Sequence, residues 1–152
     1  MDIQLKVKLL RDGAKLPTRG TPGSAGLDLY YCPSPELGEL TCIPLDPGNR
    51  AGLTTGVAVE IPPGYVGQVV PRSGLAARHG ISVLNSPGII DSDYRGEVVV
   101  ILHNPGAAAY AVQPGDRIAQ LLVLPVPNVE VVQVEELSPT ERGAGGMGST
   151  GR

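Results

Sequence analysis

Apolar and polar residues alternate from the start of the chain. Ile3, Leu5, Val7 and Leu9 share one face, and Gln4, Lys6 and Lys8 the other. A period of two marks a half-buried strand. Similar short runs predict strands over residues 53–61, 64–70, 81–84, 97–103, 108–112, 117–124 and 129–134. Between them stand Asp46-Pro47-Gly48, Pro62-Pro63-Gly64, Asn104-Pro105-Gly106 and Pro114-Gly115-Asp116, which read as turns. Many strands at close spacing predict an all-β sandwich, jelly roll or barrel. One short segment, Gly74 to His79, reads as a turn or two of helix with Ser73 as its N-cap. From Ser138 onward the apolar period is lost in SPTERGAGGMGSTGR, whose composition predicts a flexible arm. The expected organisation is therefore one domain over 1–137 and a glycine-rich arm over 138–152.

Composition sharpens this picture. Twenty-one glycines and fifteen prolines cut the chain into short segments, and the absence of Phe and Trp leaves a core of Val, Leu, Ile and Ala. A net charge of −3 excludes a broad basic surface for nucleic acid, but not a local anion site built from a few arginines. Cys32 and Cys42 could pair only if the fold brought them together, and the plainer reading is two reduced thiols. The N-terminal stretch has no signal-peptide pattern, and apolar runs such as Val98 to Leu102 are too short to span a bilayer. A cytoplasmic protein that engages neither membrane nor nucleic acid is the expectation.

Five stretches place polar residues or glycine where a strand pattern would not want them. In Ala25-Gly26-Leu27-Asp28-Leu29-Tyr30 an acid interrupts an apolar run; the plainer reading is an outward-facing strand Asp. Pro71-Arg72-Ser73-Gly74-Leu75-Ala76 sets an arginine and a hydroxyl before a helix start, either an anion cradle or an ordinary cap. The segment from Asn85 to Glu97, NSPGIIDSDYRGE, gathers two carboxylates, an Asn and a Tyr in a tight hairpin. There a carboxylate could activate water and a Tyr face could meet a sugar or base, or the charges could simply be solvated. Gly115-Asp116-Arg117-Ile118-Ala119-Gln120-Leu121 could bury a salt bridge or present an amide to a ligand. The final run, RGAGGMGSTG, lacks the Gly-Lys-Ser/Thr ending of a P-loop and fits a lid that orders over phosphates.

Taken together and in order, AGLDLY, PRSGLA, NSPGIIDSDYRGE, GDRIAQL and RGAGGMGSTG resemble the five motifs of the trimeric deoxyuridine triphosphate nucleotidohydrolases, the dUTPases, across nearly the whole chain. The resemblance implies a distorted, β-clip-like jelly roll with one short helix, and a homotrimer with active sites at subunit interfaces. It implies hydrolysis of dUTP to dUMP and pyrophosphate with Mg2+. Asp91 would be the catalytic base. Asn85, Gly88, Ile90 and Tyr94 would receive uracil and deoxyribose, with Met147 over the base. Arg72, Ser73, Gly74 and Gln120 would hold the phosphates, and Arg142, Ser149 and Thr150 would close over them. Asp28 would assist the metal through water, since Mg2+ keeps much of its hydration shell.

Two rivals stand beside this reading. A dCTP deaminase-like protein would share the fold and the trimer but not the complete set with its glycine-rich fifth motif. A non-catalytic jelly-roll trimer could dispense with Asp91 or the arm. Arg78 and His79 read as surface or interface residues, and His103 has no second histidine at zinc-ligand spacing.

One position departs from the pattern, because Met147 stands where the family usually carries an aromatic. Stacking of an aromatic on a base contributes about 1–3 kcal/mol, and a thioether on a ring about 0.3–1.5 kcal/mol. Weaker lid closure is the consequence. Met147→Phe should therefore lower KM for dUTP in steady-state kinetics, and unchanged KM and kcat would refute the stacking argument.

Overall fold

The computed structural model describes residues 3–38 and 41–147. Among these residues eleven strands and one α-helix follow the chain, with a single 3-10 turn at Pro35–Leu37: β1 (Lys6–Leu9), β2 (Thr18–Arg19), β3 (Leu27–Tyr30), β4 (Ile43–Leu45), β5 (Arg50–Glu60), β6 (Tyr65–Val70), α1 (Ser73–His79), β7 (Ser82–Val83), β8 (Gly88–Ile90), β9 (Glu97–His103), β10 (Tyr110–Val112) and β11 (Arg117–Pro125). They form antiparallel sheets in the orders β1-β5-β9-β7, β2-β3-β11-β6-β8 and β10-β4. One continuous core joins Leu53, Val59 and Val100 of the first sheet to Leu29, Val69 and Leu121 of the second. The architecture is all-β, as the strand pattern predicts, and is the jelly roll that the resemblance implies. Among the described residues no helix is long and apolar enough to cross a membrane.

The period-two reading holds best in β9, where Val98, Val100 and Leu102 are buried and Val99 is exposed. It is weaker in β5, whose residues 55–59 are all buried. That strand lies between β1 and β9, and its register shifts between Thr54 and Ala58. Gly56 occupies the irregularity with φ +70°, a conformation open to glycine and strained for other residues. A methyl group added there would fall 2.6 Å from Ala14 Cβ and 3.0 Å from Cys32 Sγ.

Three expectations are corrected. Residues 129–134 form no strand: Val129, Val131, Val132 and Val134 are all exposed, because no neighbouring strand lies beside them. Ser73 is the first helical residue and not the cap. Arg72 takes that position with φ −90° and ψ 126°, and no side chain caps the helix. The backbone carbonyl of Arg72 accepts from Leu75 and Ala76 while its side chain turns away to β3. The first strand begins only at Lys6, although Leu5 and Val7 pack against the core as the alternation requires. Cys32 and Cys42 are both free thiols.

Gly56→Ala combines a disfavoured φ with an atomic overlap, and should cost about 2–4 kcal/mol of stability. Chemical denaturation checks this; a variant as stable as the parent would mean that the segment around Ala14 yields freely.

Candidate active site

Sheet register assembles the first cluster. Asp28 on β3 lies opposite Gln120 on β11, which lies opposite Val70 at the end of β6. Residues directly opposite share a face, and Arg72 follows two positions after Val70. Asp28 Oδ1 accepts from Arg72 Nε at 3.1 Å and from Gln120 Nε2 at 3.4 Å, while Oδ2 accepts from Arg117 Nη1 at 3.2 Å. Arg72 Nη1 also donates to the Arg117 carbonyl at 3.0 Å. The Asp28 side chain is 4% exposed, against 21% for Arg72 and 50% for Arg117. One buried carboxylate thus organises two guanidiniums, leaving a net positive charge and spare donors toward solvent. Gly26 makes room for this, since a Cβ there would press on the Gln120 side chain at 3.1 Å. Ser73 and Gly74 open the helix beside the cluster, Ser73 exposed and Gly74 partly so.

The hairpin forms the second cluster. β8 pairs with the edge of β6, Val69 opposite Gly88 and Gly67 opposite Ile90. The Ser86–Pro87 peptide is cis. Beyond β8 a turn closes through the Tyr94 amide, which donates to the Asp91 carbonyl at 3.2 Å. A pocket of about 150 Å³ opens here, lined by Asn85, Gly88, Ile90, Tyr94 and Glu97 among others. Asn85 Nδ2 lies 3.2 Å from where a Cβ on Gly88 would stand, so the glycine keeps the floor flat. Tyr94 is 45% exposed and donates its hydroxyl to the Glu97 carbonyl at 3.0 Å. Asp91 is exposed and borders a separate shallow depression with Tyr65, Val66 and Val126.

Behind the hairpin lies a network that reading by motif missed. Arg11 grips Glu97 bidentately, Nη1 to Oε2 at 3.0 Å and Nη2 to Oε1 at 2.5 Å. It also donates to the carbonyls of Pro33 and Cys32. The Gly56 amide donates to Glu97 Oε1 at 2.6 Å. Burial pushes the Glu97 carboxyl up, but the Arg11 guanidinium and the Gly56 amide outweigh it and hold the group below its ordinary value. Arg11 is pushed up in turn, chiefly by its hydrogen bond to Glu97. No motif flags Arg11, whereas Glu97 closes the hairpin stretch and Arg117 makes the salt bridge that its strand context allowed.

The arm forms the third piece. Arg142 folds back on the Gly145 carbonyl at 2.9 Å, and Met147 is fully exposed. Ser149 and Thr150 lie outside the described residues. The pocket of the hairpin is lined by none of Asp28, Arg72, Gln120, Arg142 or Met147. β3 and β8 lie three strand spacings apart in the sheet order, about 14 Å. Within one chain the predicted residues therefore form separate clusters.

Among the described residues no group of three or more His, Cys, Asp or Glu could cage a metal. Both Asp28 oxygens are already in use. Such a donor set fits only a hydrated hard cation held mainly by ligand oxygens and water. Arg78 and His79 are exposed, as expected, with the His79 ring 4.8 Å from that of Tyr110.

A family model described as dUTPase matches residues 12–151. The chain belongs to the dUTPase family. It is 49% identical over 149 residues to the deoxyuridine 5'-triphosphate nucleotidohydrolase of Syntrophotalea carbinolica, covering 98% of this chain and 97% of that one. To the protein of the same name from Anaplasma marginale it is 50% identical over 151 residues, covering 97% and 99%. Among solved structures, a variant of the Staphylococcus bacteriophage 80alpha dUTPase with dUpNHpp superposes with a TM-score of 0.85. That pair is 30% identical and covers 98% and 99% of the two chains. A variant of the phage phi11 dUTPase, described with a structural Mg(II) ion, superposes at 0.76 with 28% identity, covering 88% and 98%. The first four stretches singled out in the sequence lie on β3, the β6–α1 junction, the β8–β9 hairpin and β11.

The Glu97 shift fixes a pH dependence. A carboxyl held below its ordinary value of 4.5 adds stability above that value and loses it as pH falls through the folded one. Glu97→Gln should therefore melt below the parent at about pH 7, and the gap should narrow toward about pH 3. A gap that stays constant into acid would show that the Glu97 charge contributes nothing.

Proposed function

We propose that this chain hydrolyses dUTP to dUMP and pyrophosphate. The observation that carries the reading is the small hairpin pocket lined by Asn85, Gly88, Ile90 and Tyr94. A pocket this close, floored by a glycine, leaves little room for a pyrimidine substituent, and its hairpin amides and Asn85 match a uracil edge. Clashes and unpaired polar groups discriminate better than lost apolar contact. Tyr94 at the mouth would lie against deoxyribose and exclude a 2′-hydroxyl.

Arg72, Ser73, Gly74 and Gln120 would receive the phosphate chain, where the spare donors around Asp28 supply positive charge. Asp91 would take a proton from the attacking water as its oxygen bonds in line to the α-phosphorus. The bond to the bridging oxygen then breaks and pyrophosphate leaves. Mg2+ bound to phosphate oxygens would neutralise charge that develops there. Asp28, with both oxygens committed, would reach such an ion only through water.

Since the pocket and the Asp28 cluster lie apart within one chain, a complete site requires residues from more than one copy. A homotrimer with sites at its interfaces meets this requirement, and the uncovered valines at 129, 131, 132 and 134 supply apolar surface for a neighbouring copy. Residues 138–152 would act as a lid, with Met147 over the base and Arg142, Ser149 and Thr150 on the far phosphates. The reaction keeps uracil out of DNA and supplies dUMP for thymidylate synthesis, a cytoplasmic role.

The test incubates the protein and Mg2+ separately with dUTP, dTTP, dCTP and UTP, following pyrophosphate release. Turnover of dUTP alone is expected, falling about 10²- to 10⁴-fold in Asp91→Asn. Ammonia from dCTP would indicate deamination, and dUTP binding without turnover would refute the enzyme reading.

A further inference from the structure

The proposed function leaves the Arg11–Glu97 network unused. Glu97 lines the hairpin pocket beside Tyr94, yet its carboxylate is turned to Arg11 and the Gly56 amide. Glu97 is held from two sides: both its oxygens take the Arg11 fork, and Oε1 also takes the Gly56 amide. Arg11 is itself fixed to the carbonyls of Cys32 and Pro33. The two side chains are only 17% and 20% exposed. From this anchored residue the backbone carbonyl accepts the Tyr94 hydroxyl at 3.0 Å.

The Tyr94 ring needs such a tether. It is nearly half exposed, on a turn whose residues 93–96 are all exposed. Gly96 leaves the space into which the ring folds back, since a Cβ there would overlap the Tyr94 hydroxyl and ring. The position of the ring thus depends on where the Glu97 carbonyl stands. That carbonyl belongs to the first residue of β9, beside the irregular stretch of β5 where ladder pairing is interrupted. At this point the side chain of Glu97 substitutes for the missing backbone ladder.

We propose that Arg11 and Glu97 are a positioning pair for Tyr94, and that they set how sharply the site separates deoxyribose from ribose. The proposal rests on the dUTPase reading above. Glu97 lines the pocket, but both its oxygens are engaged by Arg11 and Oε1 also by the Gly56 amide, so its effect on the sugar passes through the Tyr94 hydroxyl. Arg11 suits this task better than lysine, because a planar fork fixes direction where an ammonium fixes only distance.

The test compares kcat and KM for dUTP and UTP in the parent, Arg11→Gln, Glu97→Gln, Tyr94→Phe and the Glu97→Gln/Tyr94→Phe double variant. Each single variant should reduce the preference for dUTP over UTP about tenfold, the scale of one lost charge-assisted hydrogen bond. For Arg11→Gln, which lies outside the pocket lining, the loss should appear in KM, with kcat for dUTP largely retained. The double variant should match Tyr94→Phe, because both changes break one chain of contacts. Arg11→Lys should fall between Arg11→Gln and the parent. Equal losses on both substrates, or effects of Glu97→Gln and Tyr94→Phe that multiply, would overturn the proposal by showing a general structural role. Should Arg11→Gln fail to fold, the near-isosteric Glu97→Gln and Arg11→Lys decide the matter. A parent that does not turn over dUTP would remove the functional reading itself, a result distinct from either.

Discussion

A carboxylate buried in an apolar sheet is tolerable only when its charge is met, and Asp28 meets its charge three times over. Arg72, Arg117 and Gln120 come from two further stretches of chain, so satisfying one side chain joins β3 to β11 and both to the start of α1. Removing one partner of such a buried pair typically costs about 3–5 kcal/mol, because the other charge is left uncompensated. The arrangement also prepares the surface above it. Two guanidiniums around one carboxylate cannot be neutral, and the surplus charge faces the side where Arg117 is half exposed.

A different logic governs the hairpin. Its walls come from the pairing of β8 on β6 and from the outward side of β9, at Glu97, Val99 and Ile101, but its tip is exposed and held by few contacts. Geometry at the tip depends on a glycine floor, a tyrosine tether and the buried ion pair behind them. The rigid part of the protein thereby reaches into a turn that would otherwise be loose. Catalytic precision on a loop usually requires this kind of support from behind.

Much of this was legible in the sequence. Period-two alternation located most of the long strands, and the Pro-Gly punctuation between them located the turns. The five motif stretches stood out because each breaks the local pattern in a way that folding alone does not demand. What escaped did so for physical reasons. Short strands such as β2 and β4 carry too few residues to show a period. Residues 129–134 alternate like a strand, yet a strand needs a partner, which the sequence of one chain does not supply. Ser73 looked like a cap by type, but Arg72 takes the position since its side chain is drawn to Asp28. Asp28 itself could be read as solvent-facing until the register placed two arginines and an amide around it. Arg11 lies 86 residues from Glu97, and no local rule connects them.

The segment after β11 has a further consequence for how separate chains meet. Val129, Val131, Val132 and Val134 form an uncovered segment of high β-propensity, the kind that adds readily to like strands of other molecules. Glu130 interrupts it, and Glu135 and Glu136 close it, all three exposed. Identical segments meeting in register would bring these carboxylates together and repel. The glutamates thus act as gatekeepers against fibrous association, while leaving the valines free for a surface of different charge.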